Sequence, residues 1–275
     1  MAVRFDADGE DYTRTTGLPS GVTHTVCLWL VPDVDRNTYS CPISIDAGTG
    51  NFVYLETEID GLRMYLFEGD DAMATGPFVD LTVGVWQFLA WTRNGTGTNS
   101  GTLYSAAANA AALSLVGQRT LSQSFTPTTI RVGESPWGGE WWNGRVAAVK
   151  IWDGVALTQA ELENERWQYL PHRTANLNSF YPFLSGGNVA AAQQDFSGNG
   201  RNLSGGAGSA TADGPPIAWR QGPSRLFIPV TAGGGASIAL DARVTSATAT
   251  RAGAQAVLGL SARSSGVSTV RAAPN

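Results

Sequence analysis

The chain has 275 residues, enough for one large domain, or one domain with an appendage, and for a sizeable buried core. Charged residues make up only 15% of it and glycines number 33, a balance that predicts an all-β protein with many turns. The formal net charge of −5 at pH 7 removes any electrostatic case for nucleic acid as a partner.

The chain opens Met1-Ala2-Val3-Arg4-Phe5-Asp6, with no apolar signal-peptide core ahead of the first strand. No later run is long and apolar enough to span a membrane. The expectation is a protein made in a cytoplasm without a signal peptide, and kept there or released by lysis or a dedicated route. Val3 to Phe5 reads as a short strand, and an acidic loop, Asp6-Ala7-Asp8-Gly9-Glu10-Asp11-Tyr12, follows it. Thr23 to Val31 reads as a strand that includes Trp29. Cys27 and Cys41 lie equally far from Val34, with a turn beginning at Val31-Pro32-Asp33, so a hairpin would set them opposite each other. A cross-strand disulfide and two buried free thiols are both open readings.

Ile43 to Asp46, Phe52 to Glu58 and Leu62 to Glu68 read as short strands separated by glycine-containing turns. Val85 to Arg93 is the strongest strand. Trp86 and Phe88 share one face at period two, and Trp91 takes the other. Gly95 to Gly101 reads as a hairpin loop, Thr102 to Ser105 as the return, and Thr129 to Val132 as the next strand. In Trp141-Trp142-Asn143-Gly144-Arg145-Val146-Ala147-Ala148-Val149-Lys150-Ile151-Trp152-Asp153, an Asn-Gly turn leads into a strand. Thr158 with Glu161 forms a capping box. It opens a short helix to about Tyr169, which Pro171 ends, with Leu162 and Trp167 facing inward. Phe180 to Leu184 reads as a late strand, and Asn199-Gly200 suits a type I′ turn with both residues at positive φ.

Beyond Gly233-Gly234-Gly235 the composition shifts to Ala, Ser, Thr, Val and Arg. Leu240, Ala242, Arg243, Arg251 and Ala252 recur twenty residues later as Leu260, Ala262, Arg263, Arg271 and Ala272. Two copies are too few for a solenoid; they read as a β-rich arm. From Gly235 onward four arginines stand against Asp241, which leaves the arm at +3 and the rest of the chain at −8. Such an arm cannot bury a core alone. It is expected to order on another subunit or on a larger assembly, through Arg243, Arg251, Arg263 and Arg271.

Several segments carry a family resemblance. They are the Trp-Asn-Gly strand before a loop and short helix, the Phe5-Asp6 to Asp11-Tyr12 opening, and Trp29 where a core tryptophan belongs. Together they resemble laminin-G-like, concanavalin-A-like domains. The resemblance implies an all-β antiparallel β-sandwich, a jelly roll with one short helix, over residues 1–222. Residues 175–222 would be its closing segment, with first and last strands adjacent, and residues 223–275 a linker and extended C-terminal arm. Four later features look like those of tailed-phage or prophage structural proteins. They are Asp195-Phe196-Ser197-Gly198-Asn199-Gly200-Arg201, Ala212-Asp213-Gly214-Pro215-Pro216, Arg225-Leu226-Phe227-Ile228-Pro229-Val230 and the arm. The fold serves glycan binding, glycan cleavage and architecture alike, so it does not by itself fix function.

Three candidate sites follow. Asp6, Asp8, Glu10 and Asp11 gather hard oxygen donors in one loop, suited to a structural calcium ion such as laminin-G-like domains carry, with Asp195 as a further candidate ligand. A solvated acidic turn is the plainer alternative. Trp137 and Trp142, beside Gly138-Gly139, are candidate glycan-stacking residues. Only one of Trp141 and Trp142 can face outward from a strand, and Trp29, Trp86, Trp91 and Trp152 read as core. Glu56-Thr57-Glu58-Ile59-Asp60 resembles the E-x-D core of related glucanases, but Gly61-Leu62-Arg63 follows where a second Glu belongs. Catalysis is therefore disfavoured against an exposed acidic strand face. His24 and His172 lack ligand or triad spacing, and no phosphate-binding or dinucleotide motif appears. The expected function is a non-enzymatic structural or decoration protein on a virion or similar particle. It would display a lectin-like jelly roll, with cell-surface glycans as candidate ligands and a homo-oligomer or capsid or tail assembly as partner. A free calcium-dependent lectin is the alternative, and a glycoside hydrolase a weaker one.

Overall fold

A computed structural model describes residues 2–6, 8–34, 38–48, 50–57, 62–68, 77–183, 193–206, 210–212 and 214–217. By its contacts the chain divides after Ser224, and everything described lies in the first unit, Met1–Ser224. The arm, with Arg243, Arg251, Arg263 and Arg271, lies outside the described residues.

Two antiparallel sheets form the body. The first orders β10 (Ser114–Leu121), β9 (Gly97–Ala107), β8 (Gln87–Asn94), β3 (Thr23–Pro32), β12 (Gly144–Asp153), β1 (Ala2–Phe5) and β15 (Ala210–Ala212). β13 (Leu177–Tyr181) also pairs with β12. The second orders β14 (Ser204–Gly205), β2 (Tyr12–Arg14), β11 (Thr129–Val132), β4 (Ser40–Asp46), β5 (Phe52–Thr57), β6 (Arg63–Glu68) and β7 (Phe78–Asp80). This is the all-β sandwich expected, with the first strand beside the last.

Period-two alternation builds the core between the sheets. Val26, Leu28 and Leu30 of β3 face Val53, Leu55, Met64 and Leu66 of β5 and β6 across it. Each such side chain, fully buried, contributes about 1.5–3 kcal/mol. The alternate residues Cys27 and Trp29 join Phe88, Ala147 and Trp152 in a second cluster on the back of the first sheet. There α1 (Gln159–Arg166) covers it, inserting Leu162. Both halves of the capping box at Thr158 and Glu161 are formed. Trp29, Trp91 and Trp152 are buried, and Trp86 packs half-buried on the second cluster.

Several expectations need correction. Cys27 and Cys41 are both buried free thiols, but they are not opposite each other: β3 belongs to one sheet and β4 to the other. Gly97 to Ser100 do not hang free as a loop, because β9 continues through them and Gly97 stays paired with Leu121 of β10. Gly144 is not a turn residue. It is the first residue of β12, paired between Pro32 and Phe5, where a Cβ would stand 2.2 Å from the Val31 carbonyl oxygen. The helix stops at Arg166, and Trp167 points outward, with its Nε1 donating to Glu163 and the Arg166 guanidinium over its ring. At Asn199-Gly200 the positive φ angles belong to Gly198 and Gly200, not to Asn199. The late strand begins three residues early, at Leu177.

Two buried ion pairs tie the layers. Arg93 of β8 meets Glu68 of β6 at 2.6 Å and so bridges the two sheets. Lys150 of β12 meets Glu165 of α1 at 2.7 Å and fastens the helix to the first sheet. β12 carries a bulge between Ala147 and Lys150, with Ala148 at φ 48°, so that Ala147 and Ala148 both face the back cluster. His24 is buried and bonded at both ring nitrogens: Nδ1 meets the Ser20 carbonyl oxygen, and Nε2 accepts from Trp91 Nε1 at 3.0 Å. Burial lowers its pKa to about 4, so it stays neutral and structural.

Candidate functional site

The outer face of the second sheet is unusually aromatic. β5 and β6 alternate, and the side chains that do not enter the core are Phe52, Tyr54, Tyr65 and Phe67. With Trp137 and Phe78 they form one chain of touching rings. Centroids stand 5.1 Å apart from Trp137 to Phe52, 5.0 Å to Tyr54, 5.3 Å to Phe67, 5.8 Å to Tyr65 and 5.7 Å to Phe78. The four inner rings are buried. The two ends open to solvent, Trp137 with 46% of its surface exposed and Phe78 with 43%. Arg63 lies over the Phe78 ring at 4.6 Å and Arg119 over Phe67 at 5.7 Å.

The loop after β11 delivers Trp137. Gly133 takes φ 100°, and a Cβ there would strike the Phe5 ring at 2.6 Å, so only glycine lets the chain turn out of the sheet at this point. The loop then crosses back over β4, where Cys41 N donates to Glu140 O at 3.3 Å and Trp141 bridges both Cys41 and Glu134. Positive φ at Gly138 and Gly139 permits the reversal.

Beside the rings lies a carboxyl pair. Glu56 on β5 is buried and accepts from the Tyr54 hydroxyl at 3.2 Å, and Glu140 of the loop stands close to it. Burial, then the neighbouring Glu140 carboxyl, push Glu56 up to about 9. Burial and the same two glutamates raise the Cys41 thiol well above its usual range, so it is no nucleophile.

Trp137 is thus exposed, as the sequence suggests. Trp142 is not: it is 2% exposed and packs in the core between the sheets, so it offers no ring to a ligand. The half-buried Trp141 is the outward member of that pair. In the acidic loop, Glu10 turns inward and its Oε2 accepts from Asp6 N at 2.7 Å. Asp6 stands 4.0 Å from Arg4, and Asp8 is exposed. Asp11 faces Glu134 and Arg131, and partial burial raises its pKa. Among the described residues, no three His, Cys, Asp or Glu gather as a metal ion would require. Asp195 is used structurally, accepting from the backbone N–H groups of Phe180, Ser197 and Arg201 at 2.9–3.0 Å. Of the E-x-E-x-D run, Glu56 is buried rather than exposed, while Glu58 and Asp60 lie outside the described residues.

The family model described as the concanavalin A-like lectin/glucanases superfamily matches residues 7–163, more than half of the chain. The chain belongs to that superfamily. Several solved structures share the fold at low identity. A protein from Bacteroides ovatus ATCC 8483, proposed to bind carbohydrate, has TM-score 0.54 and 18% identity over 79% of this chain and 61% of its own. The heptameric SAP-like pentraxin of Limulus polyphemus has TM-score 0.45 and 17% identity over 59% and 79%. Tailspike protein 2 of Escherichia coli O157:H7 bacteriophage CAB120 has TM-score 0.49 and 15% identity over 65% and 26%. The chain spans less than two thirds of the Bacteroides and tailspike proteins. A search of the curated proteins finds no match. The superfamily joins lectins to glucanases, and its lectin-like jelly roll is the frame on which the aromatic face is built.

The sequence reading missed Phe52, Tyr54, Tyr65, Phe67, Phe78 and Glu140. The signal was present in part: Phe52-x-Tyr54-x-Glu56 and Tyr65-x-Phe67 alternate with Val53, Leu55 and Leu66, so both faces of these strands are apolar. A strand that is apolar on both faces needs a cover for each.

Proposed function

We propose that the protein is a non-enzymatic, lectin-like jelly roll that holds a carbohydrate at the outer face of its second sheet. Its basic, self-repeating arm (residues 223–275) would attach it to further copies, or to a virion or comparable particle as a decoration protein. The observation that carries the binding reading is the row of rings ending in exposed Trp137. A rigid indole supported edge-on by Phe52 presents a flat apolar face to the C–H side of a sugar ring, and little entropy is lost in fixing it. The carboxyl pair supports the absence of catalysis. Hydrolysis needs two carboxyls about 5–5.5 Å apart or farther, with the glycosidic bond between them, whereas Glu56 is buried, bonded to the Tyr54 hydroxyl and crowded by Glu140.

A glycan array probed with the parent and with Trp137→Ala tests the binding half. Losing a central aromatic anchor is expected to cost about 2 kcal/mol, roughly 30-fold in Kd. Equal binding by both proteins would sink the assignment of the site. Binding abolished by EDTA would instead favour a calcium-dependent lectin working through Asp6, Asp8, Glu10 and Asp11. Light scattering on the full chain and on a truncation ending at Gly233 tests the arm. The full chain is expected to be an oligomer and the truncation a monomer; equal oligomeric states would remove the assembly role.

A further inference from the structure

The outer face of the first sheet carries a pair of arginines that the aromatic face of the second sheet does not use. Val3 and Phe5 of β1 and Val146 of β12 enter the core, so the alternate residues Arg4 and Arg145 face outward. They stand directly opposite each other across the β1–β12 ladder. Like charges in that position repel, and one carboxylate holds them together. Asp33, just past the end of β3, has only 11% of its side chain exposed. Its Oδ2 accepts from Arg4 Nε at 2.7 Å and its Oδ1 from Arg145 Nε at 3.0 Å.

Each guanidinium gives only its Nε–H to Asp33. The terminal amino groups of both have no hydrogen-bond partner among the described residues. Asp6, at 4.0 Å from Arg4 Nε, is beyond hydrogen-bond reach. Arg145 is held on a second side, because its guanidinium lies over the Trp86 ring at 5.6 Å and Trp86 packs on the back cluster. The pair is open to solvent, with 46% of the Arg4 side chain exposed and 23% of Arg145. Val85, exposed next to Trp86, continues the surface.

We propose that Arg4 and Arg145 form an anion site for the carboxylate or sulfate group of an acidic sugar, with Asp33 as its positioning residue. The forked donors of two guanidiniums match the oxygens of either group, which a lysine ammonium does not. The half-buried Trp86 indole and the Val85 methyls suit the C–H face of the same sugar ring. That a sugar carries the anion rests on the carbohydrate reading; the anion site itself does not. It lies on the other sheet from Trp137 and works without it.

NMR of the full chain with ¹⁵N-labelled indoles tests this at low salt, with Trp86→Phe assigning the Trp86 signal. The probes are tetramers of galacturonic acid, of sulfated galactose and of neutral galactose. The Trp86 signal should shift with a charged tetramer and not with the neutral one, and the tetramer that shifts it names the group. Arg4→Gln and Arg145→Gln should each weaken that binding about tenfold or more. Lysine at either position should not restore it, and Trp137→Ala should leave it unchanged. Asp33→Asn separates a built site from mere charge. It adds positive charge to the patch, but it offers one accepting oxygen where Asp33 uses two, so one guanidinium is released. Weaker binding is the expected result; stronger binding would reduce the pair to a charged patch and overturn the inference. A Trp86 signal that moves with neither charged tetramer, or moves equally with a tetramer of glutamic acid, would also overturn it. So would a parent-like response in both glutamine variants. A failed glycan array with this response intact would overturn only the site at Trp137.

Discussion

Replacing Lys150 by Met is expected to lower the stability of the body by about 3–5 kcal/mol, because it leaves the buried carboxylate of Glu165 without its cation. The lysine does more than neutralise. Its ammonium group donates to Glu165 Oε2 at 2.7 Å, to Glu165 O at 3.0 Å and to Gln168 O at 2.7 Å, with Leu170 O at 3.4 Å. It therefore caps the carbonyl end of α1 as well as pairing with it, where a positive charge opposes the helix dipole. A helix of eight residues has no stability of its own in water. It holds its place on the back of the first sheet through Leu162, the capping box and this ammonium group. Glu165 also accepts from His172 N and Arg173 N, so losing the lysine disturbs the turn that leads into β13.

At roughly 2–4 °C per kcal/mol for a domain of this size, the melting temperature of Lys150→Met should fall by about 10 °C. The double variant Lys150→Met, Glu165→Gln separates pairing from packing. If the charge left behind is the main cost, removing it too recovers part of the loss, and the two effects fall short of additivity. A Lys150→Met protein that melts with the parent would mean that water reaches Glu165 and that the pair is not sealed.

The strands were legible because their inward residues alternate. Val26, Leu28 and Leu30, or Val53 and Leu55, can form no other regular element, and Thr158 with Glu161 announces the helix start by local chemistry alone. What lay beyond reach were the long-range choices. Val146-Ala147-Ala148-Val149 reads as uniform strand, and only the competing registers of β3 and β13 reveal the bulge there. Cys27 and Cys41 look like a hairpin pair because sequence spacing does not say when a chain crosses from one sheet to the other. The site was half legible for the same reason. Trp137 beside two glycines marks an exposed loop, but nothing near Glu140 in the sequence indicates that it closes over Glu56. That contact brings the loop after β11 over β4 to β5, and the tertiary fold alone makes it.

Gly144 brings sequence and structure together at one atom. Gly144→Ala is expected to cost about 3 kcal/mol or more, at the top of the range for overpacking, because the added methyl meets groups that cannot yield. It would stand 2.2 Å from the Val31 carbonyl oxygen and 3.0 Å from Pro32 Cα, both backbone of the adjacent β3, and 2.9 Å from Trp142 Nε1. The φ at Gly144 is not in the left-handed region, so the requirement is for space and not for an unusual backbone angle. The position is also where β12 lies between β3 and β1, pairing with Pro32 on one side and Phe5 on the other. A displacement there moves both neighbours, and with them the buried Trp142 ring that begins this edge of the core. Urea denaturation should show a lower midpoint with an unchanged slope, since the folded body survives with the same surface buried. A midpoint equal to the parent's would show that β3 can retreat from β12 at no cost. The Trp-Asn-Gly signature would then reflect something other than the close approach of these two strands.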